Sequence, residues 1–218
     1  MSMRSTLRRP LRLFLRAEPG PAGEATARSD EPRVPIVGLT LYTGDSLAFG
    51  YVPLAAGRVT DLLNEHEEYE FFDTHLESLE DGHGLTLPTV AIARDEIFVV
   101  AVAGPRGDPK RRTRTRPIPI ELHVGPYDVY GNIHVVPGTD PMSSFRRRTM
   151  VPITEATVEW DTPEGRKVAQ WDTVVVNRPL TDWIAPARRD VRPPDRQLVP
   201  ESETSRCPGE LSRPFAQR

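Results

Sequence analysis

The stretch TVAIARDEIFVV, residues 89–100, comes back as TVVVNRPLTDWI, residues 173–184. Each is preceded by a matching approach, GYVPLAAGRVTDLLN at 50–64 and GNIHVVPGTDPMSSF at 131–145. The approaches lie 81 residues apart and the later phrases 84 apart, so three extra residues must be absorbed between them. Self-similarity at a fixed offset marks a repeated structural unit. Two divergent copies of one small β unit are therefore the expectation.

Working outward, Val37, Leu39 and Leu41 alternate with Gly38, Thr40 and Tyr42, and Leu47, Phe49 and Tyr51 resume the alternation after the turn TGDS. Period two with a turn between predicts a hairpin. RVTDLLNEHEE spaces Val59, Leu62 and Leu63 for one or two helical turns. YEFFDTHLESL returns to strand composition, EDGHG is a turn, and strands follow within 85–94 and 96–103. The second copy repeats this order. IPIELHV and YDVYGNIHVV predict strands, Asp140 and Pro141 predict an N-cap and N1 proline, and MVPITEATVEW and RKVAQWDTVVVNR predict two more strands. Trp183 and Ile184, in the places of Val99 and Val100, are expected to dock the chain end on the core.

The fold class predicted is all-β: two tandem small β-barrel-like units, five-stranded and Sm-like or half-barrel, packed together between disordered termini. Units of this size are marginal alone, which favours packing of one on the other. The boundaries are an Arg-rich arm at 1–34, a first β unit at 35–105, a basic linker at 106–118, a second β unit at 119–184 and a tail at 185–218. In the arm, Leu7, Leu11, Phe14 and Leu15 share a helical face beside Arg8, Arg12 and Arg16, but Pro10 interrupts it. The arm reads as disordered or as lying ahead of the true start, with a membrane or partner anchor as the alternative. The chain's 23 prolines among 218 residues are about twice the usual share of roughly 5% and suit turns, edges and tails.

GYVPLAAGRVTDLLN followed by FFDTHL resembles a pattern in uncharacterised bacterial small β domains: strand, Gly-Arg turn, Asp-Leu-Leu-Asn helical turn, strand. The resemblance spans 47–103, with a degenerate form in the second copy. It implies a small β fold and a bacterial source, and it carries over no functional residue.

Charge is distributed unevenly. Residues 35–105 hold 12 acids and 2 bases, whereas 106–118 hold 6 bases and 1 acid. Arg106, Lys110, Arg111, Arg112, Arg114 and Arg116 form that basic run, and Arg146, Arg147 and Arg148 form a second cluster. Such arginines can bind nucleic acid or an anionic surface by counterion release, without sequence specificity. Alternatively they lie against acids of their own chain, including Glu65, Glu67, Glu68, Glu70, Glu77, Glu80 and Asp81.

Asp73, His75 and Glu77 alternate along a predicted strand and could share one face as metal ligands, although a solvated face beside buried Phe72 and Leu76 explains them equally. His66 and His83 fall in turn or helix-end contexts that favour the surface, and His123 and His134 read as outward-facing strand residues without a recognisable partner. Nucleophile elbow, phosphate loop, dinucleotide glycine and HExxH motifs are all missing. The expectation is no catalytic, cofactor or metal site. Trp160, Trp171 and Trp183 are expected in core or inter-copy packing, or in an exposed aromatic patch. A lone Cys207 forbids an intrachain disulfide and fits a reducing, cytoplasmic setting. The function expected is a non-catalytic interaction or scaffold module with a protein partner.

Overall fold

The alternation from Val37 to Tyr51 builds β1 (Ile36–Thr43) and β2 (Ser46–Pro53), with Val37, Leu39 and Leu41 inward. The computed structural model describes residues 34–102 and 114–187. The expectations for the N-terminal arm, most of the linker and the tail lie outside these residues. After β2 come helix α1 (Val59–Glu65), β3 (Glu68–Ser78), β4 (Gly84–Ala93), a 3-10 turn (Arg94–Glu96) and β5 (Ile97–Val102). Val59, Leu62 and Leu63 are the buried side of α1, as their spacing dictates.

The second half runs β6 (Arg116–Val124), β7 (Tyr127–Val135), helix α2 (Pro141–Arg146), β8 (Met150–Thr162), β9 (Gly165–Asn177), a 3-10 turn (Arg178–Leu180) and β10 (Thr181–Pro186). Asp140 caps α2 by accepting a 2.7 Å hydrogen bond from the Ser143 amide, and Pro141 occupies the first turn, where its missing N–H costs nothing. β6 begins at Arg116, the last arginine of the basic run.

The ten strands of the described residues join in one antiparallel sheet, ordered β10-β6-β7-β8-β9-β5-β1-β2-β3-β4. The sheet is not closed. The centre of the sheet is the pairing of β5 with β9, Val99 opposite Val176, Val100 opposite Val175 and Ala101 opposite Val174. Apolar side chains from both halves interlock across it. Tyr42, Leu79, Val99 and Ala101 of the first half pack among second-half residues such as Leu122, Tyr127, Val158 and Val174. Met150 and Val175 of the second half pack among Leu39, Leu63, Phe71 and Val100.

Two bulges shape the strands. Asp73 in β3 and Glu155 in β8 have φ of 48° and 50°, a left-handed conformation uncommon for a side chain with a Cβ. Opposite each, the ladder slips at Gly50 in β2 and Gly131 in β7. An extra residue inverts the facing of what precedes it. Phe71 and Thr74 are buried while Phe72 is only half-buried, the reverse of strict alternation through Phe72. Asp73, His75 and Glu77 are all exposed, but the bulge at Asp73 takes the first of them out of step with the others.

The glycines facing the bulges leave room for nothing larger. A Cβ on Gly131 would stand 2.6 Å from Ile153 Cγ2 and 2.9 Å from Thr154 O. Gly131→Ala is expected to lower stability by about 2 kcal/mol, in the range of overpacked cores, read as a lower urea midpoint at unchanged slope.

Candidate functional site

Three surfaces hold the residues that chemistry or recognition could use: the seam between the halves, the two free edges of the sheet, and the polar and basic clusters.

At the seam, polar side chains reinforce the backbone ladder. Asn177, ending β9 and 2% exposed, donates from Nδ2 to Arg94 O at 2.7 Å and to Ile97 O at 2.9 Å. Its Oδ1 is buried with no hydrogen-bond partner. Asn64, at the end of α1, donates to Met150 O at 2.9 Å and accepts from Met150 N at 3.0 Å. Tyr127 Oη donates to Thr43 O at 2.6 Å, and Trp171 Nε1 donates to Tyr42 Oη at 2.8 Å. Edge-to-face contacts join Tyr42 to Tyr127 and Trp160, with ring centroids 5.3 and 5.6 Å apart. Burial pushes the Tyr42 hydroxyl up to about 12, with the Trp171 hydrogen bond opposing. Trp160 and Trp171 thus pack between the halves.

β10 and β4 are the sheet edges. β4, GLTLPTVAIA, has no charged residue. β10, TDWIAP, has only Asp182. Trp183 does not dock into the core as its sequence position suggested. It is 44% exposed and stacks on His123, with centroids 6.4 Å apart, while Ile184 packs against the core. The reason is its register: Trp183 stands opposite half-buried His123, whereas Ile184 stands opposite buried Leu122. Phe49 and Tyr51 of β2 form a second exposed aromatic pair, 5.3 Å between centroids.

A polar row crosses the second half. Arg166 in β9 bonds Glu159 in β8 and Asp128 in β7, and Asp128 contacts His123 Nδ1 in β6 at 2.8 Å. His134 holds Thr154 at 2.8 Å and Thr115 at 3.2 Å. Both histidines, expected to lack partners, have them: His123 from across its own hairpin and His134 from neighbours about twenty residues away. The row is partly exposed, so its ion pairs add little stability. Among the described residues no three His, Cys, Asp or Glu side chains gather as a metal set.

Arg106, Lys110, Arg111 and Arg112 lie outside the described residues. Arg114 and Arg116 are exposed where β6 begins, and Arg146, Arg147 and Arg148 are exposed at the end of α2. Arg148 Nη1 lies 3.5 Å from Asp61 Oδ1 of α1, an ion pair between the basic cluster and the acidic first half. No helix among the described residues is long and apolar enough to cross a membrane. No protein family, curated protein or solved structure matches the chain.

Proposed function

We propose that the chain is a non-catalytic interaction or scaffold module, two copies of a curled five-strand unit whose free sheet edges take up partner strands. The single observation that carries this is the open, nearly charge-free edge at β4. Edge strands of soluble proteins are ordinarily blunted by charges, especially lysine, or by bulges. β4 has only Pro88, and Leu85 on it is 53% exposed. An extended partner segment could add here by backbone hydrogen bonds, with side chains setting specificity.

Both halves have the same strand order, last strand beside first: β5-β1-β2-β3-β4 and β10-β6-β7-β8-β9. The matched bulges at Asp73 and Glu155 and the matched glycines at 50 and 131 support descent from one unit. The curl has a geometric argument. Three residues, Arg94–Glu96, connect β4 to β5 although β1, β2 and β3 lie between them. Flat strands would hold β4 and β5 about 19 Å apart, whereas so short a link reaches only about 14 Å. The same holds for Arg178–Leu180 between β9 and β10. Each unit therefore bends toward a half barrel.

Exposure of Arg114, Arg116, Arg146 and Arg147 favours a second reading, weak binding of nucleic acid or an anionic surface. Affinity capture from the source cells separates the two. Under the edge reading, capture survives raised salt and is lost in Ala91→Pro, which removes a donor from β4. Under the second, binding to RNA, DNA or anionic vesicles falls steeply with salt and disappears when Arg111, Arg112 and Arg114 become Ala. Capture unaffected by Ala91→Pro would sink the edge reading.

A further inference from the structure

The strand that covers the β4 edge can be argued from the seam inside the molecule. There, the last strand of the first half, β5, pairs with the fourth strand of the second half, β9. The two edges left over are the last strand of the second half, β10, and the fourth strand of the first half, β4. They are the counterparts of the two strands already joined. A contact between unlike surfaces, repeated from molecule to molecule, generates rings when its rotation closes and filaments when it does not.

We propose that β10 of one chain pairs antiparallel with β4 of a second copy, in the register of the internal seam, so that chains associate head to tail. The proposal rests on the edge-binding reading above and names its partner. The phrase at 89–100 maps onto 173–184 residue for residue. Transferring the pairs of Val99 with Val176, Val100 with Val175 and Ala101 with Val174 sets Trp183 opposite Ile92, Ile184 opposite Ala91 and Ala185 opposite Val90.

Exposure agrees with an edge awaiting its neighbour. Val99, which the seam covers, is fully buried, whereas Trp183 in the equivalent place is 44% exposed. Val90 and Ile92 already face their own core, as Val174 and Val176 do. A copy docking on β4 would need no rearrangement of them.

The counterpart seam lacks the polar clamps of the internal one. Ala93 stands where Asn177 would reach across, and Phe145 stands where Asn64 would. Association between chains is accordingly weaker than the joint within a chain, and reversible.

The test uses the full chain with Cys207→Ser and a cysteine at each end of the expected central pair, Ala91→Cys with Ile184→Cys. Residues directly opposed on antiparallel strands fall within disulfide reach. Under oxidation the double variant is expected to give a ladder or a single ring-sized band on non-reducing gels, while each single variant stops at the dimer. Sedimentation of the unmodified chain should show mass rising with concentration in whole multiples of the monomer. Ala93→Asn, which restores the missing clamp, should tighten association several-fold. Monomers at every concentration, with no cross-linking of the double variant, overturn the proposal. If capture of a different partner is then still abolished by Ala91→Pro, the edge reading survives and only the self-pairing fails. If Ala91→Pro changes nothing, both fall. Unchanged association of Ala93→Asn overturns the register.

Discussion

Tyr42→Ala is expected to lower the unfolding free energy by about 4 kcal/mol, within the range for emptying a buried aromatic site. Tyr42 is 1% exposed and touches the rings of Tyr127 and Trp160 edge to face. Its loss also leaves Trp171 Nε1 without its acceptor. Against a typical domain stability of about 5 to 15 kcal/mol, that is a large share. Urea denaturation followed by tryptophan fluorescence would read it. Tyr42→Phe keeps the ring and should cost only about 1 kcal/mol, the net value of one hydrogen bond.

The same pair of variants carries a pH signature. Burial raises Tyr42 from an ordinary 10 to about 12. Below pH 10 both folded and unfolded chains keep the phenol proton, and the residue's contribution is fully present. Between 10 and about 12 the unfolded chain releases the proton while the folded chain holds it. Stability from this residue then falls by about 1.4 kcal/mol per pH unit, until the folded form also ionises. Tyr42→Phe should make the alkaline decline shallower. An unchanged slope would mean that the hydroxyl is accessible to water.

Asn177→Leu, which keeps the branched shape and heavy-atom count of the side chain but removes its polar atoms, should cost about 2 to 3 kcal/mol. Both hydrogen bonds to the first half, to Arg94 O and Ile97 O, disappear from a site sealed from water. Each lost bond is worth about 1 kcal/mol, with a further penalty where a carbonyl is left short of a donor. Because the amide spans the seam, the loss should appear in hydrogen exchange as faster opening of β5 and β9 ahead of β2 and β3. Uniform acceleration across the sheet would instead place Asn177 in the general stability of the fold.

Much of this architecture is legible in the residues. Alternation places Leu39, Leu41 and Leu122 inward, the spacing of Val59, Leu62 and Leu63 gives α1, and Asp140 followed by Pro141 announces α2. What escapes is whatever depends on partners far along the chain. The bulge at Asp73 requires a left-handed backbone at a residue whose side chain does not demand it, so Phe72 looks as buried as Phe71. The seam is equally silent, since nothing in the composition of β5 or β9 says that each will choose the other. Asn177 resembles an ordinary polar strand ending. Its one visible signal is a difference between the matching phrases at 89–100 and 173–184, asparagine where the first has Ala93. The basic residues are legible as a cluster, but the pairing of Arg148 with Asp61 depends on α1 reaching β8.

The seam also changes what the connection at residues 103–113 is for. The bonds described at the joint between β5 and β9, with Asn64 and Asn177 bridging it, join residues outside that connection. Covalent connection then acts by raising the effective concentration of one half for the other. Cutting it would leave every bond described at the seam in place. Insertions there should be borne more easily than single substitutions in the valines it brings together.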